Sequence, residues 1–165
     1  MASDAQVARI AELGLIPVPQ GRFLSETGDG LLAALGPERG KLAYRMRSFL
    51  DAGVVLPGSS DAPVVASDPL LSIHDMVNRR TASGAPIGPD EAVTAREALY
   101  ATRSVRRTRC TRSGSRALSP GSCSPTSVLS DDLLGVPADR IGELTVGATV
   151  VGGRIAHDTG ALKVS

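Results

Sequence analysis

The residue best placed to do chemistry is Asp61, in the stretch "VVLPGSSDAPV". An apolar run, Val54-Val55-Leu56, delivers it into a Gly/Ser loop that Pro63 then fixes. A carboxylate just past the C-terminal end of a strand can ligate a divalent cation and take a proton from a bound water. In β/α barrels, catalytic groups sit at that end of the strands. Spacing alone favours a plainer role, in which Asp61 caps a turn or helix. The other candidates are weaker. His74 falls in the helix that follows and His157 in the terminal hairpin, and both are expected to be surface or packing histidines. Cys110 and Cys123, with twelve residues between them, fit no metal or redox spacing and read as free thiols. "GDGLLA" at 28–33 fits G-x-G-x-x-A, but no strand runs into it; a loop capping the next helix is expected. Arg39, Tyr44 and Arg47 are expected to form a solvated helix face.

Asp61 needs a framework, and the flanking pattern supplies one. "SDAQVARIAELGL" predicts a helix capped by Ser3 or Asp4, with Val7, Ile10 and Ala11 on its apolar stripe and Gly14 as its stop. "LIPVPQ" predicts a short extended segment, since two prolines exclude a well-paired central strand. "GPERGKLAYRMRSFLDAG" predicts a helix ending at Gly53, and "VVLPG" a strand. "DPLLSIHDMVNRR" predicts a helix with Pro69 in its first turn, and "GPDEAVTAREAL" a further helix opened by Pro89 and acids. The alternation is α/β with parallel-sheet character. Near the end, "IGELTVGATVVGGRIAHD" predicts a β-hairpin about Gly152-Gly153.

Composition bounds the function. The 165 residues suit one domain with a small appendage, and four aromatics are a thin supply of core anchors. The net charge of +1 hides an asymmetry, because six arginines lie between residues 103 and 116; without them the remainder carries −5. That argues against a basic body built for nucleic acid. No apolar run has the length of a membrane span, and the start "MASDAQVARIAELG" lacks the apolar core of a signal peptide, so a cytoplasmic protein is expected.

The stretch "AGVVLPGSSDAPVVASDPLLSIHDMVNRR", with "GPDEAVTAREAL" behind it, resembles the C-terminal third of amidohydrolase family 3 enzymes. The shared pattern is an apolar strand, G-S-D-x-P-V, D-P-L, a helix ending in Arg, and a Pro-Glu-Ala-type helix start. "TVGATVVGGRIAHD" resembles the family's closing strands, and "SDAQVARIAELGLIPVPQGRFL" the segment between the sixth and seventh barrel strands. Departures are the doubled serine Ser59-Ser60 and "VPQGRF", where the family more often has Gln-Pro. The resemblance implies the last part of a TIM-type (β/α) barrel over 1–100, with the final two strands and their helices. A β-hairpin remnant of the small flanking β-domain would follow over 128–165. It also implies hydrolysis of non-peptide carbon–nitrogen bonds in small amide-like substrates, with zinc or a similar divalent metal. Asp61 would be metal ligand and general base, while the remaining ligands lie upstream of this sequence. One carboxylate is short of the three or so protein ligands of a catalytic zinc. The chain is therefore expected to hold no metal tightly, to be inactive alone, and to be stable only poorly, with an upstream barrel fragment as possible partner.

Between the two resembling blocks, residues 101–127 depart from the family and are expected to be irregular. They carry arginine, serine and proline but no acid. Residues 102–127 have the arginine, serine and proline bias that G/C-rich codons give when read out of frame, and both flanking blocks fit the family, so a frameshift is inferred. The alternative function is nucleic-acid binding through the Arg-rich segment 103–116, which lacks aromatic residues for base stacking.

Overall fold

The computed structural model describes residues 1–109 and 125–162, and only the backbone of 104–109. The first element, α1 (Asp4–Glu12), begins with a reciprocal cap. Ser3 Oγ accepts from the Gln6 amide, and Gln6 Oε1 accepts from the Ser3 amide at 2.8 Å. It ends at Gly14 (φ +63), where the Leu15 and Gly14 amides donate back to Ile10 and Ala11. That arrangement needs a left-handed residue and so favours glycine. Next come α2 (Phe23–Glu26), α3 (Gly28–Gly40, interrupted at Gly36) and α4 (Met46–Asp51). Then follow α5 (Pro69–Asn78), a 3-10 turn at Pro89–Glu91, and α6 (Ala95–Arg109). The closing part holds β1 (Thr126–Leu129), a 3-10 segment at Ala138–Glu143, β2 (Val146–Val151) and β3 (Arg154–Asp158).

The three strands form one antiparallel sheet in the order β1-β2-β3. Gly152 and Gly153, both with positive φ, join β2 to β3, the conformation a two-residue turn between twisted strands requires. The sequence reading missed β1, whose four residues pair with β2 from Thr126↔Val150 onward. The sheet docks through Ala148, Leu144 and the 138–143 segment. Asn78 Nδ2 donates to the Ala138 carbonyl at 2.8 Å, and Gly142 lies against His74 and Leu71 of α5.

The two barrel strands expected near 15–20 and 54–58 are not strands in the structure. Both segments run extended and meet at a single parallel bridge, Gln20↔Ser59, where the Ser59 amide donates to the Pro19 carbonyl at 2.9 Å. Pro17, Pro19 and Pro57 have no N–H to give a ladder. Val54 and Leu56 face the core, while Val55 (51% exposed) and, on the neighbouring segment, Ile16 (44%) and Val18 (48%) are open to solvent. Apolar side chains on both faces are what a parallel strand covered on both sides requires; here one face is covered.

Three helix boundaries differ from expectation. "GDGLLA" belongs to α3 rather than to a loop. Gly28 is required there, because a Cβ would meet Thr81 Cγ2 at 2.7 Å. The helix expected over 36–53 is broken between Lys41 and Arg45, since the Ala43 and Tyr44 carbonyls turn towards the guanidinium of Arg79. The last helix starts at Ala95, not at Pro89. Thr94 and Glu97 form its capping pair, with the Thr94 amide donating to Glu97 Oε2 and the Glu97 amide to Thr94 Oγ1. That helix continues to Arg109, into the segment expected to be irregular, because Ala98 and Ala101 keep its inner face buried. The remainder of that segment, residues 110–124 with Cys110 and Cys123, lies outside the described residues.

Arg79 ends α5 in the left-handed conformation (φ +48) and is 0% exposed. Its guanidinium donates to the carbonyls of Ile87 (2.9 Å), Tyr44 (3.0 Å) and Ala43 (2.8 Å). Burial pulls its pKa down to about 10, against the opposing charge of Glu91. Gly88 (φ +53) closes the nest, where a Cβ would come within 3.0 Å of Arg79 Nη2. Buried Glu91 in turn accepts from Arg45 Nε (2.9 Å), the Ser48 amide (2.9 Å) and Ser48 Oγ.

Two predictions follow from these networks. Arg79→Met leaves three buried carbonyls without donors and should cost on the order of 3 kcal/mol or more, read as a drop in the urea midpoint. For Glu91, burial pushes the carboxyl up, but the Ser48 and Arg45 bonds outweigh it and hold it below its ordinary value of 4.5. Its stabilising contribution is therefore present above about pH 4.5 and lost as pH falls through the lower folded value. Glu91→Gln should be less stable than the parent at pH 7. The difference should shrink on acidification below pH 4.5, as compared by denaturant titrations.

Candidate functional site

Asp61 stands at the mouth of the bridged extended pair. The chain leaves the core at Gly58, whose amide donates to the Ala101 carbonyl of α6 at 3.0 Å. Two serines then shape the loop. Ser59 Oγ accepts from the Asp61 amide at 3.1 Å, and Ser60 Oγ from the Ala62 amide at 3.3 Å. The doubled serine, a departure from the family pattern, thus caps two successive amides. The Asp61 carbonyl accepts from the Val64 amide at 2.9 Å, and the Ala62–Pro63 bond is cis. Asp61 itself has φ +57, a left-handed conformation in a residue with a side chain. The turn directs an exposed carboxylate outward. Beyond it, Asp68 Oδ1 accepts from the Leu70 and Leu71 amides and caps α5 at Pro69.

Tyr44 is the residue the sequence reading misplaced. Instead of sharing a solvated helix face with Arg39 and Arg47, it is half-buried, with φ +48. Its ring meets Phe23 edge-on at 6.5 Å. Burial raises the phenol pKa first, and the negative charge of Asp61 raises it further. No periodicity in the sequence points to Tyr44, because the turn that carries it is made by Arg79. Arg47 is also engaged, bonding Asp51 and Glu97 at 2.9 Å, while Arg39 is exposed.

Of the two histidines, one lies beside a buried carboxylate and the other on the surface. His74 Nδ1 lies 3.0 Å from Asp75 Oδ1, and buried Asp75 also accepts from Arg22 and Ser25 at 2.6 Å. His157 lies on exposed β3, opposite Thr149. Among the described residues no three of His, Cys, Asp and Glu come together as a metal site. Asp61 stands without companion donors, so the residues present do not fit a bound catalytic metal. An open cleft of about 460 Å³, lined by Leu32, Pro37, Lys41, Pro86, Gly88 and Pro89, does not include Asp61. No described helix is long and apolar enough to cross a membrane.

The described residues form helices with a small antiparallel sheet, an α/β arrangement that presents one carboxylate from a loop after an apolar extended segment. Residues 1–157 match the model of the amidohydrolase family, and the chain belongs to that family. It is 37% identical over 100 residues to the N-substituted formamide deformylase of Arthrobacter pascens, covering 60% of this chain and 18% of that protein. It is 26% identical over 157 residues to the putative amidohydrolase YtcJ of Bacillus subtilis (strain 168), covering 92% of this chain and 30% of that protein. Among solved structures, a metal-dependent hydrolase from Pyrococcus furiosus superposes with a TM-score of 0.50 at 33% identity, over 60% of this chain and 20% of that one. One from Pyrococcus horikoshii OT3 reaches 0.56 at 24% identity, over 66% and 23%, and bears on the fold alone. The chain thus spans less than a third of the curated relatives it matches. The matches are to hydrolases. None of them supports the nucleic-acid reading, and half of the arginine-rich segment 103–116 on which it rests lies outside the described residues.

The left-handed backbone at Asp61 has a measurable consequence. A non-glycine residue there costs about 1 kcal/mol, so Asp61→Gly should leave stability unchanged or raise it by up to about that amount. A loss above about 1 kcal/mol in denaturant titration would show instead that the carboxylate is a structural cap.

Proposed function

We propose that this chain is the closing portion of a cytoplasmic metal-dependent amidohydrolase, probing a small amide-like substrate with Asp61 as one carboxylate of a larger centre. The reading gives Asp61 the role of ligand and base, and gives the substrate a non-peptide carbon–nitrogen bond, as in the N-substituted formamides that name one relative. One observation carries it. Asp61 is held outward in a strained turn, immediately past an extended pair whose second apolar face, Val55 with Ile16 and Val18, is exposed among the described residues. Further parallel β/α units of the same family, supplied as an upstream fragment, would cover that face and complete the TIM-type barrel and its donor set. The departure from family pattern over 101–127 is attributed to a frameshift.

Reactivity of the isolated chain follows from coordination number. A single carboxylate holds a divalent cation weakly, since ligand number and geometry set affinity. Metal analysis of the purified chain should find well under one equivalent of zinc, iron or manganese, with no amide hydrolysis. Adding an upstream barrel fragment that carries the remaining donors should produce metal uptake and hydrolysis, both lost with Asp61→Asn. Stoichiometric metal and Asp61-dependent hydrolysis by the chain alone would contradict the proposal.

A further inference from the structure

The cleft between α3 and residues 86–89 lies apart from Asp61. Its volume, about 460 Å³, falls in the range of small-molecule sites. One wall is Leu32, Pro37 and Lys41, and the other is Pro86, Gly88 and Pro89. These walls are set before any ligand arrives. The prolines have fixed φ. Leu32 packs on Gly40, where a Cβ would meet its Cδ2 at 2.7 Å, and the Ile87 amide donates to the Arg79 carbonyl at 3.0 Å. A preformed wall lowers the ordering cost of binding. Within this apolar lining the one charged group is the Lys41 ammonium. It bonds both carboxylate oxygens of Glu38, at 2.9 and 3.0 Å, and both side chains are largely exposed. A second cation stands behind the floor, since Arg79 Nη2 would lie 3.0 Å from a Cβ on Gly88. Its guanidinium bonds main-chain carbonyls, which leave its charge in place, and Glu91 opposes that charge from further off.

We propose that this cleft binds a small apolar carboxylate, its hydrocarbon body against Leu32 and the prolines and its charge toward the Lys41 ammonium. The inference is independent of the role given to Asp61, which does not line the cleft. Both parts of the ligand are needed. An uncharged molecule of the same shape gains the walls but not the cation. A carboxylate without an apolar body stays in water, where one exposed ammonium adds little. Glu38 sets the sign of a further effect. The ligand competes with its carboxylate for the same ammonium, so Glu38 works against binding.

The test uses the isotopically labelled full chain, with benzoate as probe and benzyl alcohol as its uncharged counterpart. Amide chemical shifts of Leu32, Lys41 and Gly88 are followed as each is added at constant ionic strength. Benzoate should give saturable shifts at these residues, with a Kd in the millimolar range, and benzyl alcohol should bind more weakly. Lys41→Met, which keeps the apolar stem, should weaken benzoate binding roughly two- to fivefold, the worth of one partly exposed ion pair. Glu38→Gln removes the competing carboxylate and should strengthen it by about twofold. Both positions are exposed, so both variants should keep the urea midpoint of the parent and bind benzyl alcohol as the parent does. The absence of saturable benzoate shifts in the parent overturns the inference. So does equal benzoate binding by the parent and Lys41→Met, a weakening by Glu38→Gln, or benzyl alcohol binding as tightly as benzoate.

Discussion

The guanidinium of Arg79 is the constraint on which the helical part of this molecule depends. A cation sealed from solvent without a carboxylate bonded to it is costly unless its donors are met, and here three main-chain carbonyls meet them. Those carbonyls come from two segments far apart in sequence, residues 43–44 and residue 87, so one side chain sets their relation to the end of α5. Their orientation has consequences in each segment. The helix that the sequence pattern carries through residues 41–45 is interrupted, Tyr44 takes a left-handed backbone, and Gly88 must lack a Cβ. Glu91 adds its charge at longer range, itself held by Arg45 and Ser48.

From that anchor outward, the molecule has one finished side and one open side. The finished side is where α5 receives the closing sheet, through Asn78, His74 and the 138–143 segment. The open side is the extended pair, apolar on both faces and covered on one. Burial of apolar surface is the main driving force of folding, yet among the described residues Val55, Ile16 and Val18 are left exposed. Asp61 lies two residues past the bridge at Ser59 that joins the pair.

The legible parts of the fold are those governed by local rules. Ser3, Gly14, Asp68 with Pro69, and Gly152-Gly153 each act within a few residues of themselves, and each does in the structure what its type requires. The Thr94–Glu97 capping pair obeys an equally local rule, but the Pro-Asp-Glu run before it is the more conspicuous helix signal and proves to be a separate 3-10 turn. Strand β1 was not legible, because four residues carry too little alternation to separate from loop. The two barrel strands were legible as apolar runs but not as unpaired ones, since pairing depends on neighbours the run does not contain.

For the site, the sequence by itself offered Asp61 as the candidate: a carboxylate after an apolar run, in a Gly/Ser/Pro loop, is a local pattern, and a family resemblance gave it a role that spacing alone did not. It also set His74 and His157 on other elements, and in the structure His74 bonds Asp75 on α5 while His157 lies on β3. Only the tertiary structure decided Tyr44. Its left-handed backbone and half-buried ring go with a bond between its carbonyl and a guanidinium thirty-five residues away, and with an aromatic contact with Phe23. Residues that meet through main-chain carbonyls leave no trace in side-chain type or spacing, because every residue has a carbonyl to offer.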